Sequence, residues 1–485
     1  MLLPPARDNA PPDASEAAVR ALFDAQAATA LALRHSDAAR RRGMLRRLHR
    51  AVQMRRERWY AAFRADLGKP AVEVELTELL PVLGEAGHAI RHLQRWMRPR
   101  RVGPTLATIG TRAQVQCQPR GRCLIIGPWN YPLNTVLGPL VSAVAAGNTA
   151  IVKPSEFTPH VNALVAEVIA EVFDSAEVAV VEGGVATATH LLALPFDHIF
   201  FTGSPAVGQV VMAAASRHLA SVTLELGGKS PAIVDASADL PAAARMLAWG
   251  KLANAGQTCV APDHVLVHRS VAARFAECWR EAVARHYGRG ADTVAASPDL
   301  GRMVSVRHAA RVAELLDDAL ARGAVALDGG THDAAARYVA PTLLAEVPED
   351  ARIEAEEIFG PVMPLRTFDT LDEAIARANA APKPLALYIF SRDREAIARV
   401  AARTSSGSLG VNLCVQQYAH AGLPFGGVNR SGLGSAHGWH GFRAFSHERA
   451  CLADGPLNGL RLLFPPYTRA RLALARLLVG LAGRH

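Results

Sequence analysis

Two short motifs contain the residues of this chain that are best suited to covalent chemistry. Cys259 ends a Gly-Gln-Thr-Cys run, and Glu225 lies upstream of it at the end of an apolar segment that leads into Gly227-Gly228. A thiol can attack a carbonyl carbon, and a carboxylate can take a proton from the water that later hydrolyses the resulting thioester. Each motif alone also fits another interpretation: an inert buried thiol for Cys259, and a capping or structural carboxylate for Glu225.

Asn130 is a third candidate, in the loop Gly-Pro-Trp-Asn-Tyr-Pro that follows a predicted strand ending at Ile126. The two prolines stiffen this loop. A side-chain amide held in this way could donate a hydrogen bond to a developing oxyanion. An asparagine in a proline-bounded turn with no catalytic role fits the local sequence equally well.

The segment from Phe201 to Gly208 has features of a phosphate-binding loop. It follows a predicted strand and opens a helix that Ser204 can cap, with Pro205 in the first turn. The glycines, Gly203 and Gly208, have the spacing G-x-x-x-x-G and not the dinucleotide pattern G-x-G-x-x-G. Free N–H groups at a helix N-terminus attract a pyrophosphate, but a helix start with no ligand remains an equal alternative.

Two further motifs could bind ribose hydroxyls. Lys153 and Glu156 belong to a Val-Lys-Pro-Ser-Glu turn at the end of a predicted strand. Glu357 and Phe359 belong to Glu-Glu-Ile-Phe-Gly-Pro, where the carboxylate could bind a second ribose and the phenyl ring could flank a nicotinamide. The alternatives are a surface ion pair for the first motif, and a solvated acidic turn with one core phenylalanine for the second.

The elements that must position these residues alternate between strand and helix. Helices are predicted throughout residues 15–98, with a break at Gly68-Lys69-Pro70 and an end at Pro99. Short strands are predicted next at 105–109, 113–117 and 122–126. Later strands are predicted at 150–153, 178–181, 198–201, 222–225, 232–234 and 388–390, and helices at 135–146, 159–172, 205–217, 240–255, 271–287, 305–322 and 371–380. This alternation predicts an α/β protein with doubly wound parallel sheets.

The composition argues against several classes of protein. Half of the 485 residues are apolar and 20% are charged, which indicates a large core and no extensive disorder. The net charge of +9 comes mostly from arginine. The densest basic run, residues 40–56, also carries an apolar stripe at helical spacing, so it predicts a solvated helix face and no nucleic-acid site. The histidine pairs His88/His92 and His264/His268 lack the H-E-x-x-H pattern, so no metal site is predicted.

The expected location is the cytoplasm. The six cysteines form no paired framework, residues 1–12 contain no signal peptide, and no apolar run approaches the ~20 residues of a membrane span. The segment after Pro465-Pro466 is predicted to be a basic amphipathic helix capped by Thr468. Its apolar residues recur at i, i+3, i+4 and i+7, namely Leu474, Leu477, Leu478 and Leu481. This helix could pack on the protein or a partner subunit, or lie on a membrane surface, which is the only membrane association that the sequence allows.

Together, and in this order, the motifs resemble those of the aldehyde dehydrogenase superfamily. The resemblance covers most of the chain, from the Pro-Trp-Asn loop to the Pro-Phe-Gly-Gly turn at 424–427. The segments 254–263 and 445–449 are similar to the class 3 branch, which includes fatty, aromatic and coniferyl aldehyde dehydrogenases. Val428-Asn429-Arg430 departs from the Val-Gly of many class 3 relatives, at a place outside the chemistry.

The resemblance implies a role for each candidate residue. Cys259 would be the nucleophile, Glu225 the base, and Asn130 an oxyanion donor together with the backbone N–H of Cys259. The residues implied to bind NAD or NADP are Trp129, Gly203, Ser204 and Gly208 along the pyrophosphate loop, Lys153 and Glu156 at the adenosine ribose, Glu357 at the nicotinamide ribose, and Phe359 beside the nicotinamide ring.

The family fold implies two doubly wound α/β domains, a small β flap that serves oligomerisation, and a homodimer. The expected division gives residues 1–104 and 121–225 to an NAD(P)-binding domain, 226–407 to a catalytic domain, 105–120 and 408–450 to the flap, and 451–485 to a C-terminal extension.

The expected activity is NAD(P)-dependent oxidation of an apolar or aromatic aldehyde, a small molecule, to its carboxylic acid. A CoA-acylating relative would be expected to lack the hydrolytic base, so Glu225 argues against it. A non-catalytic binding protein on the same fold is the other alternative, and the complete set of Cys, Glu and Asn argues against that one.

Overall fold

The structure, a computed structural model, describes residues 11–483. Residues 1–10, which hold most of the segment where no signal peptide was predicted, lie outside the described residues, as do residues 484–485. The chain begins with the helices α1 (Glu16–Arg34), α2 (Ala38–Gln53), α3 (Arg56–Leu67), α4 (Ala71–Val74) and α5 (Leu80–Trp96), and a π-helical turn, Glu75–Leu79, joins the last two.

Local signals set the ends of these helices. The side chain of Ser15 caps α1 by accepting from the N–H of Ala18, and Asp37 caps α2 in the same way. Gly68, at φ 61°, ends α3 in the left-handed conformation that glycine adopts without strain. The predicted helical region and its break at Gly68-Lys69-Pro70 are therefore confirmed.

The basic run on α2 is only partly a solvated face. Leu45, Leu48 and Val52 are fully buried, as the apolar stripe predicts. Arg41, however, is also buried and donates hydrogen bonds to the carbonyls of Ala145 and Ala146 at the end of a later helix. The prediction of a solvated face is wrong for this residue, because a distant helix end supplies acceptors that the local sequence does not reveal.

A three-stranded antiparallel sheet contains the strands β1 (Arg100–Val102), β2 (Arg112–Pro119) and, from the far end of the chain, β18 (Ser446–Ala453), in that order. The strand predicted at 105–109 is wrong, because Leu106–Thr108 forms a 3₁₀ turn. Thr105 and Thr108 cap this turn reciprocally through their side chains. These local hydrogen bonds compete with extended structure, which explains the difference.

The first large sheet has six strands in the order β17-β7-β6-β3-β4-β5, and all are parallel except β17. Its elements are β3 (Arg122–Ile126), α6 (Asn134–Ala146), β4 (Thr149–Lys153), α7 (Pro159–Val172), β5 (Val178–Val180), α8 (Val185–Leu192), β6 (His198–Gly203), α9 (Pro205–Ser216), β7 (Ser221–Leu226) and β17 (Gly432–Leu433). The carboxyl ends of β3, β4, β6 and β7 lie at one edge of this sheet, where ligands of doubly wound folds bind.

The second large sheet has seven strands in the order β10-β13-β14-β9-β8-β15-β16, and only β10 is antiparallel to its neighbour. Its strands are β8 (Pro231–Val234), β9 (His264–His268), β10 (Val325–Asp328), β13 (Thr342–Ala345), β14 (Val362–Phe368), β15 (Ala386–Phe390) and β16 (Ser408–Val411), while β11 (His332–Asp333) and β12 (Tyr338–Val339) pair separately. Its helices are α10 (Leu240–Leu252), α11 (Ala272–Tyr287), α12 (Ala291–Ala295), α13 (Val306–Ala321), α14 (Arg352–Ala355), α15 (Leu371–Ala380) and α16 (Arg394–Arg403). The prediction of two α/β units with parallel sheets is confirmed, whereas the domain boundaries stay a prediction.

Two helices complete the chain, α17 (Gly438–Ala444) and α18 (Arg469–Ala482). Thr468 caps α18 through the N–H of Arg471, as predicted. The helix packs against the 3₁₀ turn Gly459–Leu463 and buries none of its residues. Among residues 11–483, no helix has the length and apolar character needed to cross a bilayer.

Candidate active site

Cys259 follows a turn of unusual backbone conformation. Asn254 and Ala255 have φ of 54° and 53°, and Gly256 follows at 76°, all in the left-handed region. Side chains other than glycine adopt this region at a cost, so the surrounding structure must hold the turn in place. At Gly256 a Cβ would lie 2.3 Å from the carbonyl oxygen of Gly360, so this position requires glycine. The tight turn carries the chain out of α10 and places Cys259 beside the first sheet.

Asn130 joins the first α/β unit to this turn. Its Nδ2 donates to the carbonyl of Gln257, at 2.9 Å, and the hydroxyls of Tyr131 and Thr258 share a hydrogen bond of 2.5 Å. An amide nitrogen carries two N–H donors, and within residues 11–483 Nδ2 makes only this one hydrogen bond. The second N–H therefore has no partner among the described residues.

Buried charges from the N-terminal helices hold both loops in place. Lys69 Nζ lies 2.8 Å from Glu78 Oε1 and donates to the carbonyl of Asn130 at 3.3 Å, and both charged side chains are fully buried. Glu73 accepts from the N–H of Asn254, at 2.9 Å, in the left-handed turn. Desolvation raises the pKa of Glu73 to about 7 and also raises the pKa of Glu78.

The local sequence does not predict this support. A signal was present, since Lys69 is one of only five lysines and stands in the Gly-Lys-Pro break, with carboxylates at Glu73 and Glu78 just downstream. Nothing in the local pattern shows that these side chains reach loops far along the chain, so their partners come only from the fold.

Glu225 lies near the end of β7, next to the edge strand β17. Its side chain is 5% exposed, and neither carboxylate oxygen has a hydrogen-bond partner among the described residues. Burial raises the pKa of Glu225 well above its ordinary value, because a charged carboxylate is poorly solvated there. A buried carboxyl without a partner is costly for stability, and such groups often have a function.

Cys259 is a protonated thiol at neutral pH. Desolvation is the main cause that raises its pKa to about 12, and the nearby carboxyls of Glu357 and Glu225 add to the effect. Since the thiolate is the reactive form, the sulfur must lose its proton to a base as it attacks.

Cys259 and Glu225 line one cavity of about 320 Å³. Its other walls include Phe200, Tyr418 and Phe425, while α5 contributes a polar strip. The strip consists of Glu85, His88 and Arg91. The cavity can therefore hold a mostly apolar molecule with its reactive carbon near the sulfur.

The glycine loop after β6 packs closely on the first sheet. A Cβ on Gly203 would lie 2.4 Å from the Phe201 ring, and one on Gly208 would lie 2.8 Å from Leu226. Ser204 caps α9 by accepting from the N–H of Val207, as the sequence predicts. The loop therefore brings backbone close to the sheet edge, which suits the approach of a pyrophosphate.

Lys153 and Glu156 meet at the end of β4. The ammonium is nearly buried, lies 3.7 Å from the Glu156 carboxylate and donates to the Pro154 carbonyl. Burial is the main cause that lowers the pKa of Lys153. The pair offers one donor and one acceptor at the sheet edge, as ribose hydroxyls require.

Glu357 lies in the loop between α14 and β14, and its carboxylate is next to Gly227, which follows β7. A Cβ on Gly227 would lie 2.2 Å from its carboxylate, and burial is the main cause that raises the pKa of Glu357 to about 7. The Phe359 ring meets the Trp129 ring edge to face, with centroids 5.5 Å apart. Trp129, Glu357 and Phe359 are thus brought together, although they come from different α/β units.

An ion pair that the sequence motifs did not predict holds the Glu357 loop. Lys229 lies 2.5 Å from Asp263 and donates to the carbonyls of Ile353 and Glu356. Asp263 accepts from the N–H of Ile358 at 2.9 Å. Burial by itself would raise the pKa of Asp263, but the Lys229 and Lys251 ammoniums and the His264 ring together lower it well below its ordinary value, so this carboxylate stays ionised.

No group of three or more His, Cys, Asp or Glu side chains in the described part of the chain is placed to hold a metal ion. The rings of His88 and His92 lie 4.5 Å apart on α5, beside Trp96. His264 and His268 occupy the two ends of strand β9.

Removing the buried ammonium tests the supporting network. We expect Lys69→Met to lower the free energy of unfolding by about 3–5 kcal/mol, because Glu78 would remain buried without its partner. Urea unfolding measures the change. The control, Arg269→Met, breaks the exposed ion pair with Asp369 and should cost at most about 1 kcal/mol. The double variant Lys69→Met/Glu78→Leu should regain much of the lost stability, and an equal loss in the double variant contradicts the explanation.

Comparison with known sequences and structures accounts for this arrangement. The model of the aldehyde dehydrogenase family matches residues 9–451. Human aldehyde dehydrogenase family 3 member B1 is 44% identical over 438 residues, which are 90% of this chain and 92% of that protein. The 4,4'-diaponeurosporen-aldehyde dehydrogenase of Staphylococcus aureus is 41% identical over 431 residues, which cover 89% of this chain and 93% of that protein.

Solved structures agree with the sequence comparison. A substrate-bound structure of Staphylococcus aureus AldH superposes with a TM-score of 0.90 at 39% identity, covering 95% of this chain and 99% of that chain. The Mycobacterium tuberculosis aldehyde dehydrogenase complexed with NAD+ superposes with a TM-score of 0.83 at 29% identity, covering 92% of each chain.

Proposed function

The chain belongs to the aldehyde dehydrogenase family and oxidises aldehydes to carboxylic acids with NAD or NADP, and on that premise we propose which residues carry the reaction. Cys259 is the nucleophile, Glu225 is the base, and Asn130 and the backbone N–H of Cys259 stabilise the oxyanion. The observation that carries the proposal is that Cys259 and Glu225 share one cavity, where both Glu225 oxygens lack a partner among the described residues.

The reaction begins when Cys259 attacks the aldehyde carbon. The sulfur gives its proton to water in the cavity and forms a bond to that carbon, and the carbonyl oxygen becomes an oxyanion that the free N–H of Asn130 can stabilise. Bound NAD or NADP would supply the oxidation by accepting hydride from this carbon. The enzyme then holds a thioester on Cys259.

Hydrolysis of the thioester needs a base, and Glu225 has the required environment. A carboxyl with a raised pKa is a stronger base once it is ionised, and water that enters the cavity can reach oxygens that have no other partner. Ionised Glu225 takes a proton from this water as the water oxygen bonds to the thioester carbon, the C–S bond breaks, and the sulfur of Cys259 takes the proton from Glu225. The carboxylic acid is released.

The residues at the sheet edge fit a dinucleotide. Gly203, Ser204 and Gly208 would face the pyrophosphate, and Lys153 and Glu156 would bind the adenosine ribose. Glu357 would bind the nicotinamide ribose, with Trp129 and Phe359 beside it. The Glu156 carboxylate favours NAD, because it would repel the 2′-phosphate of NADP.

The apolar part of the cavity supports an apolar or aromatic aldehyde as substrate. Glu225 supports hydrolysis over transfer to CoA, and the complete site supports an enzyme over a non-catalytic binding protein.

We also propose a homodimer, on the resemblance to class 3 enzymes, and a cytoplasmic location, supported by six cysteines that are all free thiols.

Replacing the proposed nucleophile tests the assignment most directly. We expect Cys259→Ser to lower kcat by roughly 10³-fold or more, because a hydroxyl is a far poorer nucleophile at neutral pH. Cofactor binding, measured by calorimetry, should change little. The control Cys451→Ser alters a partly exposed thiol on β18 and should retain full activity. Wild-type turnover in Cys259→Ser contradicts the assignment.

Glu225→Gln separates acylation from hydrolysis. We expect one equivalent of reduced nicotinamide per active site in a rapid burst, followed by a steady state roughly 10²–10⁴-fold slower, because the amide cannot accept a proton from water. Stopped-flow absorbance measures both phases. If the burst disappears together with turnover, Glu225 acts earlier, on the Cys259 thiol, and its role in hydrolysis alone is wrong.

Glu156→Gln tests the preference for NAD. We expect the ratio of kcat/KM for NADP to that for NAD to rise at least about tenfold, because a like charge beside the 2′-phosphate is removed. Steady-state kinetics with each cofactor measure the ratio. The control Glu395→Gln removes an exposed carboxylate from α16 in the other α/β unit. An equal ratio in wild type and Glu156→Gln shows that this residue does not contact the ribose.

A further inference from the structure

One wall of the active-site cavity carries basic side chains that the reaction does not use. Arg91 and His88, both on α5, line the cavity that contains Cys259. They belong to a row of basic residues at i, i+3, i+4 and i+7 on one side of that helix, namely His88, Arg91, His92 and Arg95. No step of the proposed mechanism needs a cation at this place, so the row requires another explanation.

No carboxylate of the described residues neutralises the arginines of this row. Between residues 11 and 483, Arg91 and Arg95 have no Asp or Glu within ion-pair distance. The local sequence supplies none, since no acidic residue occurs between Glu85 and Glu156. Glu85 also lines the cavity, but its Oε1 accepts from the N–H of Gly438 at 2.6 Å. The guanidinium of Arg91 is therefore available to a ligand.

The surroundings of His88 oppose a positive charge on its ring. Burial is the main cause that lowers the pKa of His88. Basic neighbours lower this pKa further, and they are His92, Arg91, Arg95 and His420. A negatively charged group bound among these side chains would reduce their mutual repulsion.

Arg91 lies far along α5 from the loop that holds Asn130. The N–H of Asn134, just after that loop, donates to Glu78, just before the start of α5, at 2.9 Å. The wall that α5 contributes to the cavity then runs from Leu80 to Arg91. At 1.5 Å per residue, the helix rises about 16 Å over this wall. Arg91 is exposed, so the cavity reaches solvent at that end.

The other walls of the cavity suit a hydrocarbon chain. Phe200, Tyr418 and Phe425 contribute aromatic side chains. The residues that α6 contributes are uncharged, and Gly138 and Pro139 are among them. A ligand that matches the whole cavity is therefore apolar along its length and negatively charged at one end.

We propose that the preferred substrate is an aldehyde with a carboxylate at the other end of its chain, and that Arg91 binds this carboxylate. The proposal rests on the proposed function, because the aldehyde end must reach Cys259. A guanidinium presents two parallel N–H donors that match the two oxygens of a carboxylate. The His88 ring, one turn away on the same side of α5, can donate a further hydrogen bond.

The position of the guanidinium indicates the length of the substrate. Nη1 of Arg91 would lie 3.3 Å from a Cβ on Gly87, so the side chain leans back one turn towards the start of α5. From Leu80 to Gly87 the helix rises about 10 Å. An extended chain of about nine carbons is also about 10 Å long, since each C–C bond of ~1.5 Å advances it by about 1.25 Å. An ω-oxo carboxylate of this length therefore fits the wall.

Steady-state kinetics with three aldehydes of matched chain length test the proposal. We expect kcat/KM for 9-oxononanoate to exceed that for nonanal and for methyl 9-oxononanoate at least about tenfold, because only the first carries the charge that Arg91 binds. The methyl ester controls for the length and polarity of the chain end. The preference should fall at about 1 M salt, since the guanidinium is exposed and the screening length drops to ~3 Å.

Variants of Arg91 identify the residue that binds the carboxylate. Arg91→Gln should lower kcat/KM for 9-oxononanoate relative to that for nonanal at least about tenfold, mainly through a higher KM, because an interaction with the bound substrate is lost. Arg91→Lys should keep part of the preference, since an ammonium retains the charge without the fork of donors. The control Arg46→Gln removes an exposed arginine of α2 that does not line the cavity, and it should keep the wild-type ratio.

The outcomes distinguish failure of this proposal from failure of the proposed function. Equal kcat/KM for the acid, the ester and nonanal in the wild type overturns the carboxylate site and leaves the aldehyde dehydrogenase activity in place. A wild-type preference that Arg91→Gln retains in full overturns the role of Arg91. If none of the three aldehydes is oxidised in a reaction that depends on Cys259, the proposed function itself is wrong.

Discussion

The hydrogen bond from the Asn130 side chain to the carbonyl of Gln257 is the contact on which the active site depends. It joins the loop after β3 in the first α/β unit to the turn before Cys259 in the second. Lys69 holds the Asn130 carbonyl from one side, and Glu73 holds the N–H of Asn254 from the other. These contacts help to hold the left-handed residues of the turn against their backbone strain.

Desolvation shapes the chemistry of this site more than ion pairing does. Burial raises the pKa of the Cys259 thiol and of the Glu225 carboxyl above their ordinary values, and it raises the pKa of Glu357 to about 7. A protonated thiol resists oxidation while the site is empty, because the reactive form is the thiolate. The same low polarity strengthens every hydrogen bond to an oxyanion that forms there. The cost is a set of buried polar groups that the fold must stabilise elsewhere.

A few lysines with buried or mostly buried side chains stabilise the loops around this site. Lys69 and Lys229 each combine one carboxylate with backbone carbonyls, and each fixes a loop that carries proposed site residues. The basic residues of this chain are nearly all arginine, and three of its five lysines, Lys69, Lys153 and Lys251, are buried, where a compact ammonium fits.

The sequence by itself determined the type of fold, the family and the candidate residues. Periodicity and local signals located most helices and strands, because Gly68, Ser204 and Thr468 act on their own neighbours. Glu225 and Cys259 could be singled out because their motifs are short and chemically distinct.

Only the tertiary structure decided which groups meet. The burial of Arg41, the 3₁₀ turn at Leu106–Thr108 and the contacts of Lys69 and Glu73 were not predicted from the sequence. The 3₁₀ turn is stabilised by hydrogen bonds of two nearby threonine side chains, an effect that strand propensity does not include. The others depend on partners that are remote in sequence, and the environment of Glu225 does as well. A residue's burial, and therefore its pKa, is set by what the rest of the chain packs around it, and no local pattern contains that information.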